Sequence, residues 1–298
     1  MTILKLLFSY AFRPLFLCTV ISAIAFVGWW LAFWSGTAPA PESTLSPIIW
    51  HGHEMLFGVI SSGIGGFLLP AVANWTGRPA VSGARLVALV VSWLVARFIF
   101  IQTPDIGPLA ILLIDISYWL LLATIMCIEV VSSRNYRNLK IVGILAVFLL
   151  LNAGFHIDSV FDTSFGTQKL SINGAIILIC VLISVIGGRI IPAFTGNWLR
   201  RQFGPDSPLP TSSNWFDGLV VTWTALAGAA WVILPGAAAT GPLLLMAGCL
   251  QLWRLARWQG YRTFADPLVL VLHVCYSWLG VGLILMGVSQ TWGGLSVS

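Results

Sequence analysis

The sequence predicts an all-α, polytopic membrane protein with about nine transmembrane helices, and three observations carry that prediction. The 298-residue chain is 58% hydrophobic and 8% charged, with a mean hydropathy of +0.93. A soluble domain carries about 25% charged residues, so this chain lacks the polar surface to cover itself. Its apolar runs are unbroken rather than alternating, at lengths near the ~20 residues that cross a bilayer as helix, which excludes a β-barrel. Its basic residues, finally, fall in alternate loops.

Nine segments are long enough to span: 15–34, 52–73, 84–102, 107–128, 139–157, 170–192, 217–234, 238–256 and 267–287. The first imitates a secretory signal, with Lys5 and Arg13 before it and Ala38-Pro39-Ala40 after it. Its apolar run exceeds a signal peptide's h-region of about 7–15 residues, and Pro41 would follow the cut, so it reads as an uncleaved helix. The second is free of charge from Leu56 to Ala73. The third and fourth each bury one charge, Arg97 and Asp115, and the sixth carries Arg189. Tryptophans mark segment ends, as at Trp34, Trp50, Trp75, Trp198 and Trp215, where indole rings favour the membrane interface.

Of the 15 Lys and Arg residues, 13 lie with the N-terminus or in every second loop after it, Lys169 and Arg97 being the exceptions. That asymmetry expects a cytoplasmic N-terminus and an external C-terminus. The net charge of +5 is therefore a topology signal and points to no nucleic acid. The five cysteines are scattered through apolar segments without a C-x-x-C and read as packing residues.

The chain also repeats itself. Gly65-Gly66-Phe67-Leu68-Leu69-Pro70-Ala71 matches Gly187-Gly188-Arg189-Ile190-Ile191-Pro192-Ala193, and each is followed by Asn-Trp. Phe12-Arg13, Tyr136-Arg137 and Tyr261-Arg262 precede successive spans. The expected organisation is one membrane domain of parallel four-helix copies, about 10–133 and 134–258, with a partial third copy at 259–298. The prolines should kink or end their helices, and the small residues before them should admit a close neighbour. Aligning the copies sets His51 against Asn173 and His53 against Ala175, so these histidines are not demanded by the fold.

The candidate chemistry lies at the mouth of the second span, in Trp50-His51-Gly52-His53-Glu54-Met55. On a helix His51, Glu54 and Met55 share one face while His53 points elsewhere. Imidazole with thioether suits copper, and imidazole alone suits copper or haem iron. Glu54 could orient an imidazole from behind. The plainer alternative is a pair of interfacial histidines bonded to lipid or water. His273, with Tyr276 three positions on, is a second candidate ligand or proton-relay group inside the ninth span, the plainer alternative being a histidine hydrogen-bonded to a helix carbonyl. His156, near Asp158 and Asp162, reads as a solvated loop residue. An Arg97–Asp115 pair is the least costly way to keep both charges in lipid. Arg189 either reaches the surface or binds an acidic ligand such as a haem propionate.

Phe12-Arg13-Pro14-Leu15-Phe16, His51-Gly52-His53-Glu54-Met55-Leu56-Phe57-Gly58, Asn74-Trp75-Thr76-Gly77-Arg78-Pro79, Gly187 to Thr195, and Leu272-His273 with Tyr276 together resemble the NnrS family. The resemblance covers nearly the whole chain. It implies a bacterial inner-membrane protein that contains haem and copper and is linked to nitric oxide metabolism and nitrosative stress. By position, His51, His53, His273 and Met55 are the metal-ligand candidates, with Glu54 and Tyr276 behind them and Arg189 toward a cofactor. Longer members continue through further helices, so the expected partners include membrane lipid, nitric oxide or a related small molecule, and a subunit supplying those helices. Two other classes stay open on the sequence. One is a secondary transporter, since parallel repeats with proline-broken helices are a transporter device. The other is an accessory subunit with no metal site of its own.

Overall fold

The computed structural model describes residues 3–40, 45–102, 106–211 and 213–292. Among them every regular element is helical, and eight helices are long and apolar enough to cross a membrane. The segment expected at 238–256 forms a helix of 17 residues, Thr240–Ala256. At 1.5 Å per residue it reaches about 26 Å, short of a bilayer core of about 30 Å. The chain divides into two compact units, Met1–Ala175 and Ile176–Ser298.

The first unit opens with a short helix α1 (Ile3–Leu7) and the first span α2 (Phe12–Trp34). The second span is composite: α3 (Pro47–His53), a π-helical turn at Glu54–Val59, then α4 (Ile60–Thr76). Ser46 accepts from the Ile49 amide ahead of Pro47, whose missing N–H costs nothing in a first turn. Gly77, at φ +68°, closes α4 in the left-handed conformation that only glycine adopts without strain. Next come α5 (Ala84–Gln102), α6 (Pro108–Ser132), α7 (Leu139–Phe155) and the single turn α8 (Ile157–Phe161).

The long helix α9 (Thr167–Phe203) carries the chain into the second unit, which adds α10 (Trp215–Ile233), α11 (Thr240–Ala256) and α12 (Pro267–Trp292). Asn214 and Asp217 form a capping box at the start of α10. Neither repeat proline ends its helix: α4 continues past Pro70 and α9 past Pro192. The glycines ahead of Pro70 admit side chains rather than a neighbouring backbone. A methyl on Gly66 would lie 2.9 Å from Phe16 and 3.3 Å from Leu15.

Backbone contact through glycine occurs instead between α11 and α12. Gly241 and Gly248 on one helix, and Gly280 and Gly287 on the other, lie two turns apart. A methyl on Gly248 would stand 2.6 Å from the Gly280 carbonyl, so these glycines bring the helices together. In each unit the helix that opens the next sequence copy packs on the last helix of the copy before it, α7 on α6 and α12 on α11.

Each unit also sets one buried charge in an ion pair at corresponding places, with the signs exchanged. Glu129 at the end of α6 pairs with Arg78 and Arg85, whereas Arg254 at the end of α11 pairs with Asp217 at the start of α10. Arg254 donates further to the Ser184 carbonyl (2.8 Å) and to the Tyr276 hydroxyl (3.1 Å). Tyr276 in turn donates to Gln251 (2.6 Å), whose amide reaches Ser184 and Thr224. This network satisfies the polar groups that α11 carries into the helix interface.

Candidate metal centre

The π turn follows His53 directly, and such turns recur where a helix must present side chains its regular register would misplace. Here it lets adjacent residues serve one cluster. His53 Nδ1 lies 3.1 Å from Glu54 Oε1, and His53 Nε2 lies 3.0 Å from Asp115 Oδ2. Across the bundle Arg97 donates to both Glu54 and Asp115. From the end of α7, His156 brings its Nε2 to 3.1 Å from the same Asp115 oxygen. All five side chains are buried.

Local sequence explains the arrangement. Gly58 makes room for the arginine: a methyl there would lie 2.9 Å from Arg97 Nη1 and 3.2 Å from Glu54 Oε2. The Gly58 carbonyl, within the π turn, accepts from the Trp93 indole (2.9 Å) and from the Ser61 hydroxyl (2.6 Å). Trp50 fixes α3 against α5 by donating to the Phe100 carbonyl. Phe100 stacks on the His53 ring at 4.2 Å between centroids, with Phe155 at 4.4 Å on the same imidazole. The charged groups thus meet inside an aromatic, low-dielectric shell, where Coulomb interactions are strongest.

Both nitrogens of His53 face carboxylate oxygens, so both contacts are hydrogen bonds only if the ring or a carboxyl carries an extra proton. With His53 as imidazolium the formal charges cancel, Arg97 and His53 against Glu54 and Asp115. The cluster is also a ligand set. One donor atom each from His53, Asp115 and His156 lie within 4.8 Å of one another, which suits two imidazoles and a carboxylate around a single ion. Glu54 Oε2 and Asn152 Oδ1 are buried acceptors that have no hydrogen-bond partner among the described residues.

The other sequence candidates lie elsewhere. His51 stacks face to face on Trp30 (4.2 Å, 9°), its Nδ1 buried with no hydrogen-bond partner among the described residues. Met55 packs among Phe26, Trp50, Val59 and Phe100. Glu54 therefore joins His53, not His51 and Met55 as an ordinary helix register would have it. In the second unit, His273 directs Nδ1 to the Val269 carbonyl (3.1 Å), with Thr195 Oγ1 3.4 Å from Nε2. Tyr276 turns to Gln251 and Arg254, and Arg189 is half-buried on α9.

The Arg97–Asp115 pair expected from the sequence is present. The reading of His156 as solvated is corrected, because the residue is buried and bonded to Asp115. The neighbouring Asp158 misled that reading. Its carboxylate organises the turn into α9, accepting from the amides of Phe165 and Thr167, and leaves His156 to the bundle. A usable signal existed: His53, Asp115 and His156 all belong to the outer halves of their predicted spans.

No curated protein and no solved structure matches this chain. A family model described as NnrS protein matches residues 6–298, and the chain belongs to that family.

Proposed function

We propose that the first unit is a metal-binding membrane module whose ion is held by His53 Nε2, His156 Nε2 and Asp115, and that it serves nitric oxide metabolism or protection against nitrosative stress. The observation that carries this reading is the convergence of three ligand-type side chains from three different helices on one buried point. In such a centre Glu54 would keep the His53 ring oriented through Nδ1, the arrangement by which carboxylates raise imidazole basicity. Arg97, bonded to both carboxylates, would balance their charge and hold Asp115 in place. Phe100 and Phe155 would exclude water.

The donor set fits copper or a single non-haem iron ion. It does not fit a haem, because Phe100 and Phe155 pack directly against the His53 imidazole. The haem that the family resemblance implies has its better candidate ligand in His273. Bonding of Nδ1 to the Val269 carbonyl leaves Nε2 as the lone-pair nitrogen, the tautomer a metal ligand needs. A bound copper or iron ion would supply an open coordination position for a small apolar gas that concentrates in lipid.

The test is elemental analysis with an absorption spectrum of the detergent-purified protein. The proposal expects bound copper or iron that is lost in His53→Ala. Any haem Soret band should survive that change and disappear in His273→Ala. A metal-free, colourless preparation that drives ion-coupled uptake in vesicles would replace this reading with the transporter one.

A further inference from the structure

The chain between α4 and α5 borders an open pocket of about 480 Å³ at the arginine-rich ends of the first unit's helices. Arg78, Ser82, Arg85 and Glu129 supply its polar wall. Glu129 is buried and takes Arg78 through Nε and Arg85 through Nη1, the latter at 3.5 Å. One carboxylate therefore anchors two guanidinium groups and leaves a net positive charge. The terminal nitrogens of Arg78 have no further hydrogen-bond partner among the described residues, and the Arg85 side chain is 67% exposed. Guanidinium groups held this way, with donors to spare, match the oxygens of a phosphate.

A second, shallower surface pocket, of about 400 Å³, shares Ser82 with the first and is lined by Leu4, Lys5, Phe8, Ser9 and Gly83. The Gly83 amide donates to the Phe8 carbonyl (3.1 Å), and Arg13 donates to the Leu6 carbonyl (2.7 Å), so α1 is fixed beside the α4–α5 loop. Ile3, Leu4 and Leu6 nevertheless remain exposed, at 85%, 68% and 47%. Three cations thus lie next to an uncovered apolar turn, on the side that the basic-residue asymmetry assigns to the cytoplasm. A free phosphate would use the cations and leave the apolar turn unexplained, whereas a lipid uses both.

We propose that these adjoining surface pockets bind the phosphate headgroup of an anionic phospholipid. Arg78, Arg85 and Lys5 contact the phosphate, and the acyl chains lie along Leu4, Leu6 and Phe8. The role is separate from the metal centre and does not depend on it.

The test uses the full-length protein in neutral phosphatidylcholine nanodiscs, with phosphatidylglycerol titrated in and bound lipid read by native mass spectrometry. Wild type should retain phosphatidylglycerol selectively, and Arg85→Gln with Lys5→Gln should weaken that retention about thirtyfold, given the contribution of each basic residue near an anionic surface. Both residues are exposed, so folding survives where Arg78→Gln would strand Glu129. Inorganic phosphate in the same titration separates the two sources. Displacement of phosphatidylglycerol by phosphate would overturn the lipid assignment in favour of a free-anion site. Equal retention by wild type and the double variant would overturn the site itself.

Discussion

Asp115 Oδ2 lies 3.0 Å from His53 Nε2 and 3.1 Å from His156 Nε2, so one carboxylate oxygen on α6 joins the start of the second span to the end of α7. With Arg97 on its other oxygen, Asp115 connects four segments of the first unit at a single buried point. Removing a charged partner there has two separable effects. Asp115→Ala leaves Arg97 with Glu54 alone, and breaking a buried pair costs about 3–5 kcal/mol. Thermal unfolding in detergent should show that loss, together with loss of the metal.

Glu54→Gln probes orientation without deleting a ligand. The amide keeps the shape of the carboxylate and can still accept from Arg97, but it no longer presents an anion to His53 Nδ1. Metal affinity should fall about 10–100-fold, the usual effect of removing such an orienting partner. Competition titration with a chelator measures it. Unchanged affinity would mean that Glu54 serves Arg97 alone.

Gly58→Ala tests whether the π turn exists to make space. The added methyl would meet Arg97 Nη1 at 2.9 Å and Glu54 Oε2 at 3.2 Å, and overpacking of this kind costs about 1–3 kcal/mol. The variant should unfold at lower temperature and bind metal more weakly, because Arg97 must shift from both carboxylates. Ala at Gly63, where a methyl has 3.6 Å to Thr19, is the control and should do neither.

The second unit predicts the opposite separation of stability from metal. Asp217→Asn leaves Arg254 buried with only polar neighbours, at a cost of about 3–5 kcal/mol. Changing both residues to apolar ones of similar volume should recover much of that loss. The first unit's metal content should stay unchanged throughout, as read by elemental analysis.

Much of this arrangement could be read from the residues. Uncharged runs and the Lys/Arg asymmetry set the helical membrane fold, and an arginine and an aspartate in adjacent spans implied their pairing. Legibility failed where a regular helix was assumed. The π turn at Glu54–Val59 changes which side chains share a face, and nothing in Glu54-Met55-Leu56-Phe57-Gly58-Val59 announces it except a glycine. His156 was hidden for a different reason: it lies at the very end of its predicted span, and nearby aspartates made it look solvated. The repeat pointed to the opening histidines as additions to the shared pattern, but repeat logic is silent on which of two neighbours turns inward. That choice belongs to packing: Trp30 stacks on His51, and Phe100 on His53.

The most direct test of the central claim is X-ray absorption at the edge of the bound metal, comparing His156→Ala with His51→Ala. The account predicts two imidazole ligands in wild type, one fewer in His156→Ala, and an unaltered spectrum in His51→Ala. Full retention of both imidazoles in His156→Ala, with a ligand lost in His51→Ala, would contradict it.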